Sequence, residues 1–537
     1  MMEFLCNELE SEQVVPSIQH GGTVRIHAPC GLRMLTNGNS WGSYKSGISA
    51  TREDDDFPGN TRQTETPLFS LYFGGGQSIL VGFMPGDKPS SVRCENGVIE
   101  GRGSTDCWIG IGKADELALR YAEFLPQMPT HQRNKPVIGW NSWDYYFKTV
   151  TEEAVAENIQ AIMASPVLRE KVRYIIIDDG WQRIHGDWTP SSKFHGDLSR
   201  VVKQIRGAGL VPGIWTAPFL VEYFSALARW HFDWLGRNEK GEPDFDAKDE
   251  WRAVLDPTHP EAAQFIHEMF TNLRKQGFGY FKIDFVSRLL KVKRFHDGST
   301  PLAAVRRGME IIRRAVGEKA VIAGCGMPLE SGYGLVDTQR VSGDISTYWS
   351  TIRTTARDWA NSWWLHRKQW LNDPDFLIVR NPATTGEKNY NPYFPATPFE
   401  AFSSRSGPPT VSLSEAEVWA SIVLLSGGPV ILGDRIGGLN ASGRRMIETV
   451  LEHVSVNTAK PLDWGESSLP RQWLRDDGDS RLFAIFNWED APAMIKPAPP
   501  CPSGPGLNIW SGAEVELNRG MELELPPRSV LLVKIRK

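Results

Sequence analysis

The sequence predicts a multidomain α/β protein with a central (β/α)8 barrel at residues 131–453. An antiparallel β-sandwich is expected on each side, at residues 1–130 and 454–537. Three observations predict this. Between Pro136 and Gly433, short apolar runs alternate with segments of 3.6-residue apolar period. Helical periodicity is nearly absent before Pro126, and short strand-like runs return after about residue 455. At 537 residues the chain is long enough for more than one domain.

Taken in order, TVRIHAP, PLFSLYFGGG and SILVGFMPG read as strands broken by Gly, Pro and Asn. The Gly74-Gly75-Gly76 run lacks a following Lys-Ser/Thr and a helix, so it reads as a hairpin turn and not as a phosphate loop. The barrel strands are expected at 136–143, 172–178, 211–216, 279–285, 320–325, 338–343, 376–380 and 429–433. Thr151 followed by Glu152 and Glu153 predicts a helix with a Thr N-cap. An open doubly wound sheet is the weaker alternative, because no Gly-rich fingerprint follows the first strand. SRLFAIFNW and SVLLVKIRK supply strands of the last domain, with a Pro-rich turn between Pro497 and Gly506.

Composition excludes several function classes. Hydrophobic residues at 41% and charged residues at 23% describe an ordinary globular protein. The net charge of −5, with no basic block, speaks against nucleic-acid or anionic-membrane binding. Six scattered cysteines without a CxxC pair predict neither a zinc site nor a disulfide framework, and no metal or organic cofactor is expected. No run reaches the ~18 apolar residues of a membrane span. The acidic MMEFLCNELESEQ stretch is unlike a signal peptide, so a cytoplasmic location is expected. The 20 tryptophans fit either a ring-rich core or a surface that stacks on sugars.

Barrel chemistry gathers at the C-terminal strand ends, where this chain places polar and aromatic groups repeatedly. The first strand ends in Gly139-Trp140-Asn141-Ser142-Trp143, followed by Asp144, Tyr145 and Tyr146. The second ends in Asp178-Asp179-Gly180-Trp181, the third in Trp215 and the fifth in Cys325-Gly326. The fourth and sixth end in Asp284 and Asp344, two carboxylates of the kind needed for acid–base or glycosyl-transfer chemistry. Lys282 shares the strand face of Asp284 and is expected to keep it ionised, while Arg340 and Ser342 share the face of Asp344. Asp284 is therefore the candidate nucleophile and Asp344 the candidate acid/base, against the plainer readings of a barrel salt bridge and a helix N-cap. Asp178 and Asp179 cannot both point inward from a regular strand, so a turn is expected there; a cation site, a clamp on hydroxyls and simple turn formation all remain open. His185 and His195 lack helical metal-ligand spacing and read as loop residues.

Together GWNSWDYYF, YIIIDDGWQ, VPGIWTAPF, YFKIDF, GCGMP with GLVDTQRVSGD, and WLNDPD (370–375) resemble the retaining α-galactosidases of glycoside hydrolase family 36, most closely its compact bacterial and archaeal members. The resemblance implies that Asp284 is the nucleophile and Asp344 the acid/base. It also implies that Asp178 and Asp179 hold O4 and O6 of galactose, that Lys282 and Arg340 bind ring hydroxyls, and that Cys325 borders O2. Trp215 and Trp41, the latter from NGNSWGSY (37–44), would wall the sugar subsite, with Trp181 and Tyr146 beside it. The implied partners are α-galactoside oligosaccharides of the raffinose and melibiose type, and a homo-oligomer is possible. Asn141 and Asp144 depart from the compact members, which are similar to this chain but carry Cys and Tyr there. A galactosyl transferase, an α-N-acetylgalactosaminidase and a non-catalytic sugar-binding barrel are the competing readings.

Overall fold

The computed structural model describes residues 134–245, 251–386, 411–464, 467, 469–518 and 520–537. Before these it describes residues 2–5, 17–19, 23–27, 33–40, 43–49, 62–65, 68–74, 77–87, 90–95, 98–103 and 106–128.

Eight parallel strands form the central sheet: β1 (Ile138–Asn141), β2 (Tyr174–Ile177), β3 (Val211–Thr216), β4 (Tyr280–Ile283), β5 (Val321–Gly324), β6 (Thr338–Arg340), β7 (Leu371–Asp373) and β8 (Val430–Leu432). Each pairs with its successor from β1 to β7, and β8 pairs with β1. The remaining gap closes through Leu377. Its N–H donates to the Ile431 carbonyl at 2.7 Å, and Gly433 N–H donates back to the Leu377 carbonyl at 3.0 Å. The result is the expected TIM-like barrel. Its strands are almost entirely buried, as parallel strands covered by helices must be; some read in sequence as apolar runs such as YIII and VIAG, whereas β6 and β7 are largely polar.

One strand is misplaced by sequence reasoning. The apolar run 376–380 was the expected seventh strand, but the ladder with β6 is made by Leu371-Asn372-Asp373. Pro374 cannot donate to a ladder and Asp375 takes φ 100°, so the chain breaks there and reaches β8 only at Leu377. This break at Asp-Pro-Asp sits on the C-terminal rim.

Capping chemistry places the helices. Thr151 caps Glu152–Ala164 by accepting the Ala154 N–H at 3.2 Å. Ser412 and Glu415 form a capping box at the start of Leu413–Ser426. A helix not anticipated in the N-terminal region, Ala114–Phe124, packs Tyr121 between Trp108 and Trp364, with ring centroids 6.2 and 5.8 Å apart. The connection after β3 is also richer than its sequence suggests, carrying an antiparallel hairpin of Leu220–Glu222 with Arg252–Val254.

Two sheets precede the barrel. One runs Met2–Leu5, Thr23–His27, Val98–Arg102, Ser91–Glu95, Arg62–Glu65, and its first pair is parallel. The other runs Ser17–Gln19, Cys107–Lys113, Gln77–Phe83, Leu68–Gly74, Arg33–Ser40, Ser43–Ser49. After the barrel come a six-stranded sheet beginning at Lys460–Pro461 and a small pair of Ala493–Ile495 with Leu523–Leu525. The six-stranded sheet is bound to the barrel helices by Trp473 stacked on Trp359 at 4.0 Å and by Arg475, which donates to the Leu424 and His453 carbonyls. Among the described residues no helix is long and apolar enough to cross a membrane.

Candidate active site

Strand periodicity and strand ends together determine what meets at the rim. A small cavity lined by Asn141, Lys282, Cys325, Arg340, Asp373 and Phe376 shows side chains of β1, β4, β5, β6 and β7 converging on one space. Asp284 stands just past β4. Its own N–H donates to the Thr216 carbonyl of β3 at 2.9 Å, which continues the ladder by one bond. Phe285 then turns into the left-handed region at φ 54°. One carboxylate oxygen of Asp284 accepts the Phe285 N–H at 2.7 Å, and the other accepts Trp215 Nε1–H at 2.9 Å. Gly326 is close beside it; a Cβ there would lie 3.0 Å from Asp284 Oδ1.

Lys282 corrects an expectation. Its partner is Asp178, with Nζ 2.8 Å from Oδ2, and not Asp284. A lysine on β4 points into the barrel and meets the acid at the tip of β2, whereas Asp284 has already left the strand. Asn141 Nδ2 donates to the same Asp178 oxygen at 2.7 Å, and the Asp179 N–H donates to the other at 2.9 Å. Burial pushes the Asp178 carboxyl up, opposed by Lys282 and Asn141, while Asp178 holds the buried Lys282 ammonium in its charged form.

The turn expected after Asp178 is present and needs Gly180. Its φ is 113°, and a Cβ would meet the Lys148 backbone at 2.7 Å. Asp179 therefore faces away from Lys282. Gln182 donates to it, His185 Nε2 lies at 3.5 Å and Lys148 Nζ at 3.9 Å. Burial raises the Asp179 carboxyl, but these donors, His185 first, bring it below its ordinary value. Trp181 is fully buried, and its Nε1–H donates to the Trp215 carbonyl at 2.8 Å, so it braces Trp215 from inside the core. The Tyr146 hydroxyl accepts Asn158 Nδ2–H at 2.8 Å, and its ring stands edge-on to Trp140. Trp41 lies outside the described residues.

Arg340 gathers the third group. Its guanidinium lies 2.8 Å from Asp375 Oδ2 and 3.2 Å from Asp344 Oδ1, and it donates to Cys325 Sγ at 3.8 Å. Burial drives the Cys325 thiol well above its ordinary range. Ser342 Oγ donates to the Gly343 and Pro374 carbonyls, so it supports the backbone of the turn. Asp375 was not among the expected residues. It is buried, and burial pushes its carboxyl up against the pull of Arg340. It also accepts the Ile345 N–H at 2.7 Å, tying the turn after Asp344 to the break after β7. Asp344 itself keeps a side chain 57% exposed, unlike the acids around it.

A second buried ionic group was also missed. Arg380 bridges Asp144 and Asp434, with Nη1 2.8 Å from Asp434 Oδ1, and Trp140 Nε1–H donates to the Asp434 carbonyl at 2.9 Å. Asp144, a strand-end acid that departs from the compact family pattern, closes the β8–β1 side of the rim.

Residues 114–306 match the Melibiase family model. The match runs from the helix Ala114–Phe124 into the barrel and ends at residue 306, and the resemblance to α-galactosidases read from the motifs is met. Among curated relatives, α-galactosidase AgaA of Geobacillus stearothermophilus is 26% identical over 161 residues, 28% of this chain and 21% of that protein. An Escherichia coli α-galactosidase is 27% identical over 186 residues, 33% of this chain and 25% of that one. The matches thus span about a quarter or less of those proteins' lengths. In fold, the chain is similar to the Thermus thermophilus α-galactosidase TtGalA solved with stachyose, at TM-score 0.65 and 21% identity over 82% of this chain and 96% of that one.

Proposed function

We propose that the chain is an exo-acting, retaining α-galactosidase of the family 36 type that releases terminal α-linked galactose from raffinose- or melibiose-type α-1,6-galactosides. The observation that carries this reading is the unequal setting of the two strand-end carboxylates. Asp284 is clamped by Trp215 Nε1–H and the Phe285 N–H, as a nucleophile held at one attack angle would be. Asp344 is solvent-exposed beside Arg340, as a residue that exchanges a proton with water should be.

In the proposed reaction an Asp284 oxygen attacks the anomeric carbon as the bond to the leaving oxygen breaks, and Asp344 gives its proton to that oxygen. Water, losing a proton to Asp344, then displaces Asp284 and frees galactose. Asp178 and Asp179 hold O4 and O6, Lys282 and Arg340 bind ring hydroxyls, Cys325 borders O2, and Trp215 and Trp41 wall the ring, with Tyr146 nearby and Trp181 bracing Trp215. The flanking sheets are read as β-sandwich domains at 1–130 and 454–537 around a barrel at 131–453.

Proton NMR of galactose first released from a nitrophenyl α-galactoside tests the reading. The α-anomer appearing first supports retention, whereas the β-anomer first rejects it. Parallel assays with the α-N-acetylgalactosaminide, and with excess sugar acceptor, decide between hydrolysis of galactosides, GalNAc release and transfer.

A further inference from the structure

His185 is nearly inaccessible, yet two carboxylates reach it. Its Nδ1 lies 2.7 Å from Glu222 Oε1, and its Nε2 lies 3.5 Å from Asp179 Oδ1. The two acids come from different elements: Asp179 from the turn after β2, Glu222 from the hairpin inserted after β3. The backbones are tied as well, since the Glu222 N–H donates to the His185 carbonyl at 3.0 Å. Trp188 and Trp215 flank the imidazole, with ring centroids 5.7 Å away in each case. An ordinary loop histidine needs none of this.

We propose that His185, bridging Asp179 to Glu222, is a positioning residue that holds the Asp179 carboxylate in place for the substrate hydroxyls. The inference rests on the sugar-binding role proposed for Asp179. Glu222 Oε1 stands against Nδ1 and Asp179 Oδ1 against Nε2, so the ring fills the space between the two carboxylates and fixes where Asp179 can lie. Its two ring nitrogens stand against Glu222 and Asp179, not against Asp284 or Asp344, so its effect should fall on binding more than on chemistry.

The charges around the ring decide its pH behaviour. Burial alone would lower the imidazole pKa and Arg252 also opposes its charge, but Asp179 and Glu222 outweigh both and raise it. Beyond Asp179 stand Lys148 and Lys193, which face that carboxylate. A group with a raised folded-state pKa contributes its charge below that pKa and loses it as pH rises through it. Galactose affinity should therefore fall on the alkaline side of the ordinary imidazole range.

The test measures competitive inhibition by galactose, and KM for nitrophenyl α-galactoside, from about pH 6 to pH 10. The wild type should show both constants rising with pH. His185→Gln should raise both about tenfold near neutral pH, leave kcat within about threefold, and flatten the pH dependence. Glu222→Gln keeps the shape but removes one carboxylate, so the alkaline rise should move to lower pH. A merely structural histidine would change melting temperature without moving these profiles. A flat wild-type inhibition profile would overturn the proposal, as would a His185→Gln enzyme with wild-type constants. If His185→Gln does not fold, an unmoved profile in Glu222→Gln overturns it instead. If the wild type cleaves no α-galactoside at all, it is the α-galactosidase reading that fails.

Discussion

Lys282 and Asp178 form a 2.8 Å ion pair across the barrel interior, joining the tips of β4 and β2. Both side chains are almost wholly buried, so each charge depends on the other for compensation. The pair divides the site in two. Asp178, Lys282 and Asn141 make a rigid charged floor, and Asp284 stands apart with its own N–H donors.

Breaking that floor should be costly. Lys282→Met leaves a buried carboxylate uncompensated and should destabilise the protein by about 3–5 kcal/mol. Urea denaturation of Lys282→Met beside the Lys282→Met/Asp178→Asn double variant checks this, and the double variant should recover much of the loss. A single variant as stable as wild type contradicts the pairing.

Asp344→Asn should slow turnover by roughly 10²–10⁴-fold on a natural oligosaccharide, whose leaving oxygen needs a proton. On a nitrophenyl galactoside, whose leaving group departs as a stable anion, the first step should suffer far less. Equal losses on both substrates would count against Asp344 as the acid.

Arg380 holds two buried acids at once, Asp144 and Asp434. Arg380→Met strands both and should lower stability by about 3–5 kcal/mol. Arg380→Lys should recover only part of this, because an ammonium lacks the planar fork that reaches two carboxylates together. Thermal melting of the two variants measures the difference.

His366 gives the fold an acid-sensitive point. It is buried, and burial lowers its pKa to about 4. Its Nδ1 lies 3.1 Å from the Asn372 N–H and its Nε2 2.9 Å from the Val456 carbonyl, an arrangement that suits a neutral ring protonated at Nε2. A group whose folded-state pKa is depressed contributes stability that is complete above the unfolded value and is lost as pH falls toward the folded one. Between about pH 6.5 and pH 4 the loss should approach about 3 kcal/mol. Denaturation of His366→Gln should show a shallower acid slope over that range.

Much of the barrel was legible because buried parallel strands are apolar runs and helix starts carry capping residues. Seven of the eight strand positions were found this way. β7 was missed because Leu371-Asn372-Asp373 is polar, while the more apolar Phe376-Leu377-Ile378-Val379 beside it makes only a closing bridge. Partners were harder to read. Two-residue spacing suggested Lys282 with Asp284, but the strand ends at Ile283 and Phe285 takes a left-handed turn. Asp375, His185 and Glu222 act through contacts between elements distant in sequence, and spacing along the chain carries no sign of those.

The assignment of Asp284 as the nucleophile is tested most directly by Asp284→Gly assayed on nitrophenyl α-galactoside, with and without azide. The truncated side chain leaves room for a small anion on the face from which the carboxylate attacks. The account predicts no measurable hydrolysis alone, and with azide a restored release of nitrophenol with β-galactosyl azide as product. Unchanged hydrolysis without azide would contradict it.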